Sequence, residues 1–240
     1  MVMTLEGQMK EVVRSQKNHH HQLRDQFVYY LDNVSVNYSK SKALSDITLT
    51  VNPGEILFVT GKSGAGKTSL LNLLAGDVLP SSGRAYGIHA NNRFVAQVFQ
   101  DLKLFDNRTC EENIWMAYDR TIYKSKNEFY ADMIELVNVL GIKDKLQDKI
   151  VNTNGGLKQK VAMIRALMSR PNILIADEPT SSLDKESSVK LFDVLNFYNV
   201  KRKLTVIWAS HNRDLVKQFP GKIIHLEKGK LIYSGHACFI

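Results

Sequence analysis

Hydrophobic and polar positions fall into a regular pattern from Phe27 onward. Short β-rich runs occupy Phe27–Leu31, Val34–Tyr38 and Ile47–Val51. Pro53-Gly54 supplies a turn, and the apolar run within Glu55–Thr60 predicts a buried strand. A glycine-rich stretch follows, after which Ser69–Ala75 predicts a helix that stops at Gly76. Pro80-Ser81-Ser82-Gly83 marks a further turn, and Phe94–Phe99 a further strand.

The next segment, 105–170, is mainly helical in pattern. Within Glu128–Leu140 the residues Tyr130, Met133, Ile134, Val137 and Leu140 recur at three-and-four spacing, which predicts one apolar face before Gly141 ends the helix. A helix is also expected over Met163–Ser169. Strands return at Ile173–Ala176, Thr205–Ala209 and Ile223–Leu226, with a helix around Ser187–Tyr198 between them. Strands alternating with helices in this way predict an α/β sheet with a mostly helical insertion.

Composition narrows the class. With 240 residues, 44% of them hydrophobic, the chain can bury the core of one domain. Residues 1–26 are polar and read as a flexible extension ahead of a single domain over 27–240. Their run His19-His20-His21 lacks a carboxylate or cysteine to complete a metal cage. Cys110 and Cys238 follow no metal or redox spacing and suit a reducing compartment. No apolar run approaches the ~20 residues that span a bilayer, and the N-terminus lacks a signal-peptide core. The expected location is therefore cytoplasmic, with any membrane role exercised through a separate partner. A formal charge of +8 is compatible with an acidic partner surface, nucleic acid or anionic lipid, or with a solvated basic surface.

The chemistry is concentrated in Gly61-Lys62-Ser63-Gly64-Ala65-Gly66-Lys67-Thr68. A glycine-rich backbone can turn its N–H groups inward around phosphates, and the helix that follows points its positive end at the same anion. Lys67 is expected between the β and γ phosphates of ATP, and the Thr68 hydroxyl on Mg²⁺. The motif follows a predicted strand and opens a predicted helix, the context it requires. A second strand ends in Asp177-Glu178. Asp177 is placed to hold Mg²⁺ through water, and Glu178 to polarise the attacking water. The alternative is a helix-capping pair of acids.

Further motifs then appear in a fixed order. Val98-Phe99-Gln100-Asp101 follows one strand, and Asn154-Gly155-Gly156-Leu157-Lys158-Gln159-Lys160 precedes a helix. Pro179-Thr180-Ser181-Ser182-Leu183-Asp184 follows Glu178, and Ser210-His211 follows the next strand. This order resembles the nucleotide-binding subunits of ABC transporters over roughly 27–235.

The resemblance implies a P-loop NTPase core with a mostly parallel sheet, an antiparallel β subdomain and a helical subdomain inserted at about 101–170. It implies that Tyr38 stacks on the nucleotide, unless that tyrosine merely packs at a sheet edge. Gln100 would link the Mg²⁺ site to the helical insertion, and His211 would hold the γ phosphate and the attacking water. Asn154, Gly155 and Gly156 would close on ATP held by an opposite subunit, which Asp184 would also contact. It implies a homodimer or heterodimer around ATP, docked on an integral membrane subunit, with no nucleic-acid partner.

Two departures modify this picture. The family signature Leu-Ser-Gly-Gly-Gln is replaced here by Thr153-Asn154-Gly155-Gly156-Leu157, so slow hydrolysis with intact ATP binding is expected. The stretch Gly83–Gln100 is short, which predicts a trimmed lobe edge. The run Phe58–Lys67, Phe99-Gln100-Asp101 with Arg108-Thr109, and the short Asp148–Thr153 segment resemble the branch of the cell-division ATPase FtsE and the lipoprotein-release ATPase LolD. Ser181-Ser182 departs from that branch. The expectation is an ATPase driving an FtsX-like partner. The alternatives are a LolC/E-like or other transporter subunit, or an ATP-gated clamp.

Overall fold

The computed structural model describes residues 27–39, 41–87 and 93–236. The N-terminal extension with its three histidines, and Cys238, lie outside them.

Chain order gives β1 (Tyr29–Tyr38), β2 (Ser41–Val51) and β3 (Ile56–Thr60), followed by α1 (Lys67–Ala75), β4 (Ser82–Tyr86) and β5 (Val95–Val98). Three helices follow, α2 (Cys110–Trp115), α3 (Lys126–Val139) and α4 (Gly155–Met168). The remainder is β6 (Ile173–Asp177), α5 (Lys185–Arg202), β7 (Thr205–Ser210), α6 (Arg213–Val216), β8 (Lys222–Glu227) and β9 (Lys230–His236).

The larger sheet has the order β5-β6-β7-β3-β8-β9, parallel from β5 to β8 and antiparallel only at β9. Every residue of β3, β6 and β7 is buried. Parallel strands covered on both faces read as continuous apolar runs, which is why the sequence signals them clearly. Alternate side chains serve opposite faces. Ile56, Phe58, Leu174, Val206 and Trp208 pack against α5 and the helical segment. Leu57, Val59, Ile175, Ile207 and Ala209 join α1 and the small sheet. That small sheet, β2-β1-β4, is antiparallel throughout.

Several boundaries differ from the sequence expectation. Tyr29–Leu31 and Val34–Tyr38 lie in one strand, β1, which starts after Phe27 and Val28 and whose register shifts beside Asn33 at φ 49°. Ser82 and Gly83, expected in a turn, open β4, and β9 was unforeseen. Both strands expose most of their residues and so carry no apolar run. In α3 the expected stripe is corrected at Tyr130, which is exposed. The buried face is formed by Phe129, Met133, Leu136 and Val137. Helix α4 begins at Gly155 rather than Met163, because Asn154 caps it and its two leading glycines lie against another loop.

Candidate active site

Strand β3 delivers the chain into the loop at Gly61, and α1 carries it out. Gly66, at φ 103°, precedes α1; a Cβ there would lie 2.8 Å from the Ala43 carbonyl oxygen. Gly64 has φ 76° with open space beside it. No side chain caps the start of α1 and no acid sits in its first turn. Its leading N–H groups are thus available to an anion. Lys67 is buried, and its Nζ donates to the carbonyls of Gly61 at 2.9 Å and Lys62 at 3.2 Å. The ammonium is thereby folded back along the loop that a phosphate chain would occupy.

The ends of β6 and β7 bring acids and a histidine to the same edge. Asp177 is 4% exposed and accepts a hydrogen bond from the Thr68 hydroxyl at 2.6 Å. Burial raises its pKa, partly opposed by the Thr68 bond and reinforced by the charge of Glu178. A buried carboxylate with one hydroxyl partner favours a nearby cation. Thr68, Asp177 and the side-chain oxygen of Gln100 are hard donors suited to Mg²⁺, which takes one or two carboxylates and completes its shell with substrate phosphates. Among the described residues no group of three or more His, Cys, Asp or Glu forms a metal cage.

Glu178 lies between two cationic or basic groups. One oxygen is 3.7 Å from Lys67 Nζ, and the other is 2.7 Å from His211 Nδ1. Tyr38, Gln100, Ser63, Lys67, Asp177 and Glu178 border a cavity of about 490 Å³. Tyr38 stands at its rim, 42% exposed, where a flat ligand could stack. Behind the loop, Lys62, Ala65, Glu178 and His211 border a larger adjoining space.

Asn154, Gly155, Gly156 and Asp184 stay outside the lining of both spaces. The Asn154 side-chain oxygen accepts from Leu157 N–H at 2.9 Å, capping α4, which leaves the amide's donor end for another partner. Leu157 is half-buried against the core. Asp184 caps α5 through Ser187 N–H at 2.7 Å. One residue that sequence reasoning left without a role, Gln159, bonds the loop after Glu178. Its place two residues beyond the signature, just ahead of the expected helix, was the available signal.

The sequence family described as "ABC transporter" matches residues 44–181. The chain belongs to this family. It is thus an ATP-binding domain of the ABC ATPase class. The methionine import ATP-binding protein MetN of Lactobacillus johnsonii is 33% identical over 222 residues, covering 85% of this chain and 63% of that protein. The chain therefore spans somewhat less than two thirds of the length of that relative. The phosphonates import ATP-binding protein PhnC of Paraburkholderia xenovorans is 32% identical over 229 residues, covering 85% of this chain and 76% of its own.

Among solved ABC cassettes, the dimeric post-hydrolysis structure of MJ0796 bound to ADP and Pi superposes with a TM-score of 0.75 at 25% identity. It covers 88% of this chain and all of that one. The CbiO1 protein of Clostridium perfringens, part of the transporter complex CbiONQ, matches at TM-score 0.73 and 24% identity, covering 88% of this chain and 89% of its own. The ABC cassette fold, with its parallel core and antiparallel sheet, is shared. The named sequence relatives are import subunits and lend no support to the cell-division branch.

Proposed function

We propose that the chain binds Mg-ATP in the Tyr38–Gln100–Asp177 cleft and hydrolyses it as the energising subunit of a membrane complex. The supporting observation is the convergence of Lys67, Thr68, Asp177, Glu178 and His211 at one sheet edge, within hydrogen-bond or ion-pair reach of their neighbours. In this reading the N–H groups of Gly61–Thr68 cradle the phosphates. Lys67 leaves its loop carbonyls for the β and γ oxygens, and Tyr38 packs on the base. Thr68 and Asp177, with Gln100, hold Mg²⁺, which neutralises charge on the phosphate oxygens. Glu178 takes the proton of the attacking water, and His211 orients that water and the γ phosphate.

Asn154, Gly155, Gly156 and Asp184 complete the site of a second copy facing this one, or of a different ATPase. Residues 101–170 serve as the helical subdomain within a single domain over 27–240, and Gln100 connects that subdomain to the metal. The partner in this reading is a membrane subunit, as the family likeness implies; no described helix is long and apolar enough to cross a membrane. An importer permease has the MetN and PhnC relatives behind it. An FtsX-like or LolC/E-like partner rests on the likeness of Phe58–Lys67, of Phe99-Gln100-Asp101 with Arg108-Thr109, and of the short Asp148–Thr153 segment.

Purified protein is expected to release phosphate from ATP only with Mg²⁺. Lys67→Ala should weaken ATP binding at least about tenfold, because a hydrogen bond to a charged group is worth roughly 1.5–3 kcal/mol. Undiminished ATP binding by a folded Lys67→Ala protein would remove the basis of the proposal. Recovery of the membrane subunit from detergent extracts decides the branch. An importer permease supports the relatives' reading, and a subunit with a large extracytoplasmic loop supports the other.

A further inference from the structure

Glu178 takes a left-handed backbone conformation, φ 52°, which a residue with a side chain adopts only when its surroundings impose it. Two supports flank it. On the β7 side, Glu178 N–H donates to the Ala209 carbonyl at 2.9 Å. On the other side the support comes from α4. Gln159 Nε2 donates to Ser181 Oγ at 2.7 Å and lies 3.4 Å from the Glu178 carbonyl oxygen. Its Oε1 accepts from Ser182 N–H at 3.0 Å. Both ends of a buried amide, 7% exposed, are thus spent on the loop that follows Glu178.

The first turn of the same helix fixes the spacing. A Cβ on Gly156 would fall 2.8 Å from the Ser182 carbonyl oxygen, and one on Gly155 would fall 3.0 Å from Ser182 Oγ. The segment 181–182 therefore lies close against the glycines and is bonded to Gln159.

We infer that Gln159 is a positioning residue. It ties the setting of Glu178 to the helix whose N-terminus bears Asn154, Gly155 and Gly156. The inference rests on the proposed role of Glu178 as the base. Movement of α4 on engaging an opposite subunit's nucleotide would then be felt at this chain's own Glu178, through the amide and the 181–182 backbone. A glutamine that merely satisfied buried polar groups would affect folding and nothing else.

The experiment compares wild type, Glu178→Gln, Gln159→Leu, Ser181→Ala and the Gln159→Leu/Ser181→Ala double variant. Affinity for a fluorescent ATP analogue, kcat and KM, and thermal midpoint are measured for each. Gln159→Leu is expected to bind nucleotide as wild type does and to keep its KM. Its kcat should fall on the order of a hundredfold, the scale of a misplacement of about 1 Å at a reacting group. Ser181→Ala, which removes one exposed hydroxyl, should lower kcat less, and should add little in the Gln159→Leu background because both act through one clamp.

Wild-type turnover that survives Glu178→Gln overturns the reading of the site and this inference with it. Turnover that requires Glu178 but is unaffected by Gln159→Leu overturns the inference alone. So do independent, additive losses in the double variant. Should Gln159→Leu fail to fold, an unchanged kcat in Ser181→Ala is the overturning result.

Discussion

At the scale of single residues, Asn154 shows how one atom's commitment limits the rest of a side chain. Its oxygen caps α4 through Leu157 N–H, so the amide's donor end is what remains for the contact proposed with an opposite phosphate. Serine caps as well as asparagine does, whereas alanine in that position costs about 1 kcal/mol. Asn154→Ser therefore changes the donor while keeping the helix start. We expect its single-turnover hydrolysis to rise on the order of tenfold. This is a fraction of the roughly 2.7–4 kcal/mol that one well-placed donor to a developing anion contributes. Rapid-quench measurements at saturating Mg-ATP, with equal thermal midpoints in both proteins, check this. An unchanged rate would separate slow turnover from the Asn154 substitution. Asn154→Ala should be less stable by about 1 kcal/mol in urea unfolding, showing that the cap is a genuine contribution.

At the scale of elements, α5 offers a prediction with a pH sign. Asp184 accepts from the N–H and the hydroxyl of Ser187, and these bonds hold its carboxyl below the usual carboxylate range. A depressed folded pKa means that the stabilisation is present above the unfolded value near 3.9 and is lost as pH falls through the folded one. Asp184→Ala should thus be less stable than wild type at neutral pH. The gap between the two urea curves should narrow as the pH falls below the unfolded carboxyl's range and through the folded one. A gap that stayed constant throughout acid titration would show that Asp184 acts by something other than its charge.

Elements also explain what the sequence could and could not convey. The fully buried strands β3, β6 and β7 are apolar throughout, and the phosphate loop is contiguous, so each announces itself locally. The strands β4 and β9 are held by pairing to β1 and β8 while their side chains face solvent, which erases the alternation that would reveal them. Tyr130 fits the helical period of α3 yet faces outward, because period alone does not say which of two adjacent apolar stripes meets the core. The Gln159 clamp depends on a contact across 22 residues of chain, and the left-handed Glu178 has no local sequence mark.

At the scale of the whole molecule, the site exists because a parallel sheet ends its strands at one edge. Neighbouring β6, β7 and β3 stop at Asp177, Ser210 and Thr60, so the acids, His211 and the phosphate loop meet without any long loop to bring them together. Asn154 and Asp184 are exposed and stand outside this cleft. One chain thus carries the cradle and, separately, the pieces proposed to close a second cradle. Each chain carries a formal charge of +8, which opposes pairing and which anionic nucleotide at the interface would offset in part. Dimer formation should therefore follow ATP occupancy. Glu178→Gln removes the proposed base while leaving the cradle in place. With Mg-ATP it is expected to elute at twice the 27.2 kDa mass of the chain, and with ADP as the monomer. Adding Lys67→Ala to the same protein should restore the monomer by depriving the interface of its nucleotide. A Glu178→Gln protein that binds ATP stoichiometrically and still elutes as a monomer would assign Asn154–Gly156 and Asp184 to some purpose other than closing a neighbour's site.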